Sequence, residues 1–144
     1  MNPALIWDCS VVVAMAFEDE RDDYSRRVFE AVRLGGALAP AHWPMEVVSA
    51  LRGAERRSRI DSSASLEFLA KLARLPVRIE DFPGVAVNMT ALYRSAEEHK
   101  LTAYDAVYLR LAQKTGLPLA AKDTELNEAA CQVGVKLFTG SQPA

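Results

Sequence analysis

Four acidic residues, Asp8, Glu46, Asp105 and Asp123, stand in apolar or element-edge segments where a charge has no obvious structural use. They are spread over most of the chain, so no local helix or turn rule explains the four as a group. If the fold brings them together, their carboxylates repel one another, and such a group either raises a pKa or binds a cation. Their residue type and placement therefore indicate a divalent-metal site.

The elements that must position these acids are short apolar runs alternating with segments of helical periodicity. This alternation predicts a three-layer α/β fold with a central, mainly parallel five-stranded sheet flanked by helices. The predicted strands cover residues 4–7, 37–39, 75–79, 117–121 and 135–138. The predicted helices cover 10–17, 22–34, a segment from Pro44, a segment capped by Asp61, and then 83–99, 102–115 and 124–131.

Three of the acids follow predicted strands on one side of this sheet. Asp8 comes directly after the first strand, and Asp123 follows the fourth after one intervening residue. Glu46 lies near the first turn of the helix that is entered from the second strand. In parallel α/β sheets the functional crevice lies beyond the carboxyl ends of the strands, so we expect these side chains at that edge.

Each acid also has a local structural explanation. Asp8 could cap the helix that follows it, and Asp123 could cap the helix beginning at Thr124. Glu46 could merely favour the positive end of its helix. Individually these alternatives stay open, because helix capping and metal binding use the same residue types.

Asp105 has the strongest local alternative. Thr102 and Asp105 have the spacing of a capping box at the start of a helix. However, Asp105 shares a helical stripe with Tyr108, Leu109 and Ala112, so we expect its side chain to face protein rather than water. The capping role and a ligand role do not exclude each other.

Composition and charge restrict the function further. The chain has 144 residues, half of them apolar and a quarter charged, which predicts one globular domain over residues 1–144. Its net charge of −2 gives no global basic field for nucleic acid. Cys9 and Cys131 lie in apolar contexts and are predicted to be buried, reduced thiols. No signal peptide or membrane-spanning segment is evident, so we expect a cytoplasmic protein.

Four segments carry a family resemblance that covers nearly the whole chain. They are ALIWDCSVVVA with Asp8, PAHWPMEVVSAL with Glu46, LTAYDAVYLRLA with Asp105, and LPLAAKDTEL with Asp123. In this order they resemble the PIN-domain ribonucleases, and among these the VapC-type toxins of toxin–antitoxin pairs.

The resemblance implies a function and a set of site residues. Asp8, Glu46, Asp105 and Asp123 match the family's acidic quartet, which holds Mg²⁺ or Mn²⁺, and Ser10 matches the polar residue that accompanies the first Asp. The implied reaction is endonucleolytic RNA cleavage that leaves 5′-phosphate and 3′-hydroxyl ends. Asp8 and Asp105 are the expected direct ligands, whereas Glu46 and Asp123 could be ligands or a general base.

The resemblance also implies partners. Such toxins form homodimers and are silenced by an antitoxin, whose C-terminal segment covers the acidic groove and presents Arg or Lys to the carboxylates. One departure is Ala121, where similar proteins often have Thr. An alternative is therefore a catalytically weak or inactive PIN-like domain that binds RNA or a protein. A receiver-type phosphotransfer domain fits less well, because Cys9 and Ser10 follow Asp8 where an acidic pair would be expected.

The basic residues near the acids have mainly structural interpretations. Arg52, Arg56 and Arg59 recur at helical spacing and predict a solvated helix face, with phosphate contact as the alternative. His42 is in no metal-ligand spacing and is expected to be structural. Lys122 could pair with the acids or with phosphate, but is expected to be an ordinary loop lysine.

Overall fold

The computed structural model describes residues 2–81 and 88–140. The strands in these residues are β1 (Leu5–Trp7), β2 (Ala37–Ala39), β3 (Val77–Ile79) and β4 (Leu119–Ala120). The helices are α1 (Cys9–Ala14), α2 (Asp23–Gly35), α3 (Trp43–Arg56), α4 (Ser62–Leu72), α5 (Met89–His99), α6 (Ala103–Thr115) and α7 (Thr124–Gln132). The predicted start of the fifth helix, at 83–84, lies outside the described residues. Within those residues, no helix combines the length and apolarity that a membrane crossing requires.

The strands form one parallel sheet in the order β3-β2-β1-β4. In the central strand, Leu5 is in register with Ala37 of β2, and Ile6 with Leu119 of β4. Every residue of β1, β2 and β4 is buried, as expected for a parallel sheet covered by helices. Because all four strands run the same way, their carboxyl ends meet at one edge. The predicted α/β architecture is confirmed.

The prediction of five strands is wrong by one. The segment 135–138 makes a single parallel bridge, Leu119 to Leu137, instead of a strand. The Leu119 N–H donates to Lys136 O at 2.9 Å, and the Phe138 N–H donates to Leu119 O at 2.8 Å. β4 has only two residues, and the backbone O of Ala120 faces β1, where it accepts from the Asp8 N–H. Only Leu119 of β4 therefore pairs with the segment 135–138.

Helices flank the sheet and complete the core. α6 packs on β1 and β4 and contacts α5 and α7, while α1 packs against α2 and α3. Trp7 is fully buried and its ring lies 5.9 Å from that of Trp43, so both tryptophans fill the core. Among the largest fully buried side chains are Trp7, Leu5, Ile6, Leu51, Tyr108, Leu109, Leu111, Leu119 and Leu126. Burial of each such side chain stabilises the fold by about 1.5–3 kcal/mol at most.

The helix starts follow the predicted capping residues. Asp61 Oδ1 accepts a hydrogen bond from the Ala64 N–H at 2.8 Å at the start of α4. Thr102 Oγ1 accepts from the Asp105 N–H at 3.1 Å at the start of α6. These bonds satisfy N–H groups that have no partner inside the helix, which is why each helix begins where it does.

The two cysteines differ in exposure. Cys9 is buried in α1, but Cys131 is exposed, and both are free thiols. The prediction of two buried thiols is therefore wrong for Cys131. On α7 the neighbouring Ala129 and Ala130 turn toward the core, which leaves Cys131 on the opposite side of the helix.

We predict that Gly36→Ala destabilises the protein more than Gly116→Ala. Both glycines have a positive φ, 81° and 72°, which costs a residue with a Cβ about 1–2 kcal/mol. A Cβ at Gly36 would also lie 2.9 Å from the backbone O of Pro76, whereas a Cβ at Gly116 would meet no atom within 4 Å. Urea unfolding should show a loss of about 2 kcal/mol or more for Gly36→Ala and about 1 kcal/mol for Gly116→Ala. Equal losses would contradict the steric explanation.

Candidate functional site

Asp8 lies at the carboxyl edge of the central strand. β1 ends at Trp7, and the Asp8 N–H donates to Ala120 O at 3.0 Å, which keeps Asp8 in register with β4. Only 5% of the residue is exposed. Asp8 Oδ2 accepts from the Ser10 N–H at 3.2 Å and caps α1, so the capping role that the sequence left open is present.

Ser10 braces the Asp8 carboxylate from the first turn of α1. Its hydroxyl donates to Asp8 Oδ2 and accepts from the Lys122 N–H, the latter at 3.1 Å. The start of α1 is thereby tied to the segment that follows β4. Ser10 consequently orients the carboxylate as a supporting group would.

Asp123 and Asp105 reach the same edge from two further helix starts. Asp123 follows β4 and caps α7, with Oδ1 accepting from the Leu126 N–H at 2.9 Å. Asp105 is in the first turn of α6, whose N-cap is Thr102. Both acids are partly buried. The predicted cap at Asp123 and the predicted Thr102 cap near Asp105 are thus both formed.

Glu46 lies in the first turn of α3 and is held by two aromatic side chains. The Tyr108 hydroxyl donates to Glu46 Oε1 at 2.6 Å, across 62 residues of sequence. His42 Nε2 lies 3.1 Å from the same Oε1, with the separation of an ion pair but without the geometry of a hydrogen bond. That second contact is an ion pair only when the imidazole is protonated.

The four acids influence one another electrostatically. Burial raises the pKa of Asp8 from 3.8 to about 6; the Ser10 hydrogen bonds oppose this, and Asp105 and Glu46 add to it. The pKa of Asp105 is also raised, first by burial and then by Asp123 and Glu46. Asp105 is therefore coupled by charge to each of the other three acids, since it raises the pKa of Asp8 and its own pKa is raised by Asp123 and Glu46. The structure brings the four predicted residues together at one edge.

No lysine or arginine neutralises this group within residues 2–81 and 88–140. Asp8, Asp105 and Asp123 take part in none of the ion pairs there. Lys122 Nζ instead lies 2.8 Å from Asp22 Oδ2, a contact that lowers the pKa of Asp22. Lys122 thus pairs with an acid outside the quartet, and the four carboxylates have no lysine or arginine counterion in the described chain.

The nearby arginines have other partners. Arg52 Nη1 lies 3.3 Å from Glu55 Oε1. Arg59 Nη2 lies 3.2 Å from Asp19 and 3.0 Å from Glu20, and its guanidinium stands 4.5 Å above the Phe17 ring. Arg52 therefore lies on a solvated helix face as predicted, whereas Arg59 lies beyond the end of α3, and its predicted place on that face is wrong.

The donor atoms of this group suit a hard divalent cation. They are carboxylate and hydroxyl oxygens, the ligands that Mg²⁺ and Mn²⁺ prefer. The adjacent Cys9 stays a thiol, because burial and the charges of Glu46 and Asp8 raise its pKa to about 12. No three acidic, histidine or cysteine side chains in the described part of the chain already converge on an ion position. The fit is thus one of charge and donor chemistry, not of a preformed coordination shell.

The sequence does not predict the roles of Tyr108 and His42. His42 was expected to be structural, and Tyr108 only to lie on the inner stripe of its helix. One signal for His42 is visible in the sequence, since positions 42 and 46 are one helical turn apart. No comparable signal links Tyr108 to Glu46, because that contact depends on how α6 packs beside α3.

A large cleft in the described residues lies elsewhere. It has a volume of about 1260 Å³ and is lined by Phe17, Asp19, Arg59 and Asp61 among others, without any of the four acids. Within it, Arg59 already pairs with Asp19. The acidic edge is therefore the better candidate for chemistry, since no lysine or arginine among these residues pairs with its four acids.

We predict that Asp8→Asn stabilises the metal-free protein at neutral pH. Because its pKa is raised, Asp8 does not lower the free energy of unfolding below pH 3.8, where it is protonated in both the folded and unfolded states. The penalty grows as pH rises toward about 6 and is complete above it. In EDTA at pH 7.5, the variant should gain up to about 3 kcal/mol in unfolding free energy, and the gain should fade toward pH 4. Asn still caps a helix.

The matched control for this stability measurement is Asp61→Asn. Asp61 also caps a helix, but it is exposed. Its substitution should change stability little at either pH. A wild-type protein more stable than Asp8→Asn at pH 7.5 would contradict the burial penalty.

Comparison with known proteins identifies the family. The PIN domain model matches residues 5–131. The crystal structure of PAE2754 from Pyrobaculum aerophilum has a TM-score of 0.68 and 24% identity, covering 90% of this chain and 87% of that chain. The crystal structure of FitAcB from Neisseria gonorrhoeae has a TM-score of 0.61 and 16% identity, covering 94% of this chain and 97% of that chain. These identities show a shared fold alone, and no curated protein sequence matches. Because the family model spans most of the sequence, the predicted family is confirmed: the chain belongs to the PIN domain family.

Proposed function

We propose that this protein is a divalent-metal-dependent endoribonuclease and the toxin of a toxin–antitoxin pair. PIN domains are generally nucleases, so hydrolysis of nucleic acid is the activity expected of the family. The observation that supports this proposal is the group Asp8, Glu46, Asp105 and Asp123 at one sheet edge, coupled by charge and without a lysine or arginine partner in the described residues. The choice of RNA and the toxin role rest on the VapC-type sequence motifs.

The proposed cofactor is Mg²⁺ or Mn²⁺. Asp8 and Asp105 are the proposed direct ligands, because burial and the neighbouring acids raise the pKa of both, and a cation would relieve that cost. Glu46 and Asp123 would complete the set or serve as a general base. When bound, such an ion acts as a Lewis acid that polarises the phosphodiester and promotes deprotonation of an attacking water.

The chain's own residues then orient the reacting groups. Ser10 fixes Asp8 by donating to Oδ2, and Tyr108 fixes Glu46 by donating to Oε1. Asp123 is fixed by the N-terminus of α7 through Oδ1. Each of these carboxylates is therefore fixed through one of its two oxygens. The RNA backbone is negatively charged and is repelled by the carboxylates, so it can approach them only when a cation is bound between them.

The proposed partners follow from the same charges. An antitoxin whose C-terminal segment places Arg or Lys among the carboxylates would supply the cation that the described chain lacks and would exclude the phosphate. A homodimer in the cytoplasm, where the RNA substrate is found, completes the proposal.

A second candidate is a PIN domain that binds RNA or protein without cutting. It is favoured by Ala121, which has no hydroxyl where similar proteins often have Thr, and by the lack of converged ligands among the described residues. It predicts RNA binding without cleavage.

We predict RNA cleavage that depends on both the ion and the acids. Purified protein should cleave total RNA in Mg²⁺ or Mn²⁺ and not in EDTA, as followed on denaturing gels. Asp8→Asn and Asp105→Asn should each lower the rate by about 100-fold or more, since even groups that merely orient a ligand contribute roughly 10- to 100-fold. The control Asp61→Asn should cleave like wild type. Cleavage that persists in EDTA, or in both variants, would exclude this mechanism; binding without cleavage would favour the second candidate.

We also predict that a small reading frame beside this gene encodes the antitoxin. Its product should co-purify with the toxin, stop RNA cleavage, and lose affinity as salt rises, because its Arg or Lys would meet exposed parts of the acidic edge. Replacing those basic residues by Gln should restore cleavage. A neighbouring protein that neither binds nor inhibits would remove the toxin role but leave the nuclease intact.

A further inference from the structure

Tyr108 joins the acidic edge to the protein core. The residue is fully buried on α6, yet its hydroxyl is polar and needs a partner. That partner is Glu46 Oε1 on α3, at 2.6 Å. Burial, Asp8 and Glu46 all raise the pKa of Tyr108, so the phenol keeps its proton and donates it to the carboxylate. Glu46 is thus held by a group that its own helix does not provide.

His42 reinforces this arrangement from the N-cap position of α3. Its ring stands edge-on to Tyr108, with centroids 5.4 Å apart, and 5.2 Å from the ring of Tyr104. Its Nε2 lies 3.1 Å from Glu46 Oε1, the atom that Tyr108 also contacts. Both neighbours therefore converge on the same oxygen of Glu46.

We propose that Tyr108 is a positioning residue that, with His42, fixes Glu46 so that only Oε2 is presented to a cation at the acidic edge. This inference rests on the proposed metal-dependent function and names the residues that set the role of Glu46. A carboxylate whose Oε1 is engaged contributes one oxygen, not two. Without the Tyr108 hydroxyl, Glu46 regains its rotamer freedom and binds the ion less well.

A purely structural role for the Tyr108 hydroxyl makes a different prediction. Tyr24 shows such a role, because its hydroxyl donates to the backbone O of Phe138 at 2.8 Å. Removing either hydroxyl deletes one partly buried hydrogen bond and leaves the ring in place. Only removal of the Tyr108 hydroxyl should alter ion binding. Tyr24→Phe is therefore the matched control for Tyr108→Phe.

The test is Mn²⁺ affinity, measured by the electron paramagnetic resonance signal of free Mn²⁺ at pH 7.5 without RNA. Tyr108→Phe should weaken Mn²⁺ binding by about 10-fold, and Tyr24→Phe by less than about twofold. In a Glu46→Ala background, Tyr108→Phe should cause no further loss, because Tyr108 acts through Glu46. If Tyr108→Phe does not fold, His42→Phe keeps the aromatic packing and should weaken binding several-fold.

The outcomes separate the two proposals. Wild-type protein that binds no Mn²⁺ would overturn both the metal-dependent function and this inference. If the wild-type protein binds Mn²⁺ and Tyr108→Phe binds it with the same affinity, the positioning role alone is overturned. An equal loss from Tyr108→Phe with and without Glu46 would also overturn it, since the hydroxyl would then act by another route.

Discussion

The accumulation of negative charge at a buried sheet edge is the constraint on which this site depends. A parallel sheet brings the carboxyl ends of its strands together, and here β1 and β4 deliver Asp8 and Asp123 to one place. For Asp8 the main cause of the raised pKa is burial rather than the neighbouring charges. Dissolved salt screens exposed charges but does little for a desolvated one. A cation in direct contact, either a metal ion or a charged side chain of a partner, would stabilise the buried carboxylate charge.

Helix capping and a functional role reinforce each other at this site. Asp8 and Asp123 do cap α1 and α7, as their local explanations require. The capping bonds engage Asp8 Oδ2 and Asp123 Oδ1, and Tyr108 engages Glu46 Oε1. In each case the hydrogen bond fixes the carboxylate through one named oxygen. A cap is therefore a way to hold an acid still at a position where repulsion would otherwise drive it outward.

The alternation of strands and helices was enough to predict the sheet edge and to place Asp8, Glu46 and Asp123 there, whereas Asp105 joined them only through the family resemblance. The alternation depends on local patterns, namely apolar runs, capping residues and helix spacing, which the sequence displays directly. The prediction of a fifth strand is wrong because pairing at 135–138 is limited by the length of the neighbouring strand, β4. Likewise, the hydrogen bond between Tyr108 and Glu46 and the ion pair between Lys122 and Asp22 join distant segments. Partner choice of that kind is decided by tertiary packing, which no local pattern encodes.

Ala121 is the one departure from the family pattern, and the structure limits what it removes. Its side chain is buried, and its backbone O accepts from Asn127 Nδ2 at 3.0 Å. The hydroxyl that supports Asp8 comes instead from Ser10, which also receives the Lys122 N–H. Since Ser10 belongs to the same short helix that Asp8 caps, this support is local and does not depend on position 121. Asp8 therefore keeps a hydroxyl partner although position 121 has none. For this reason the four acids, more than Ala121, should decide whether the domain cuts RNA.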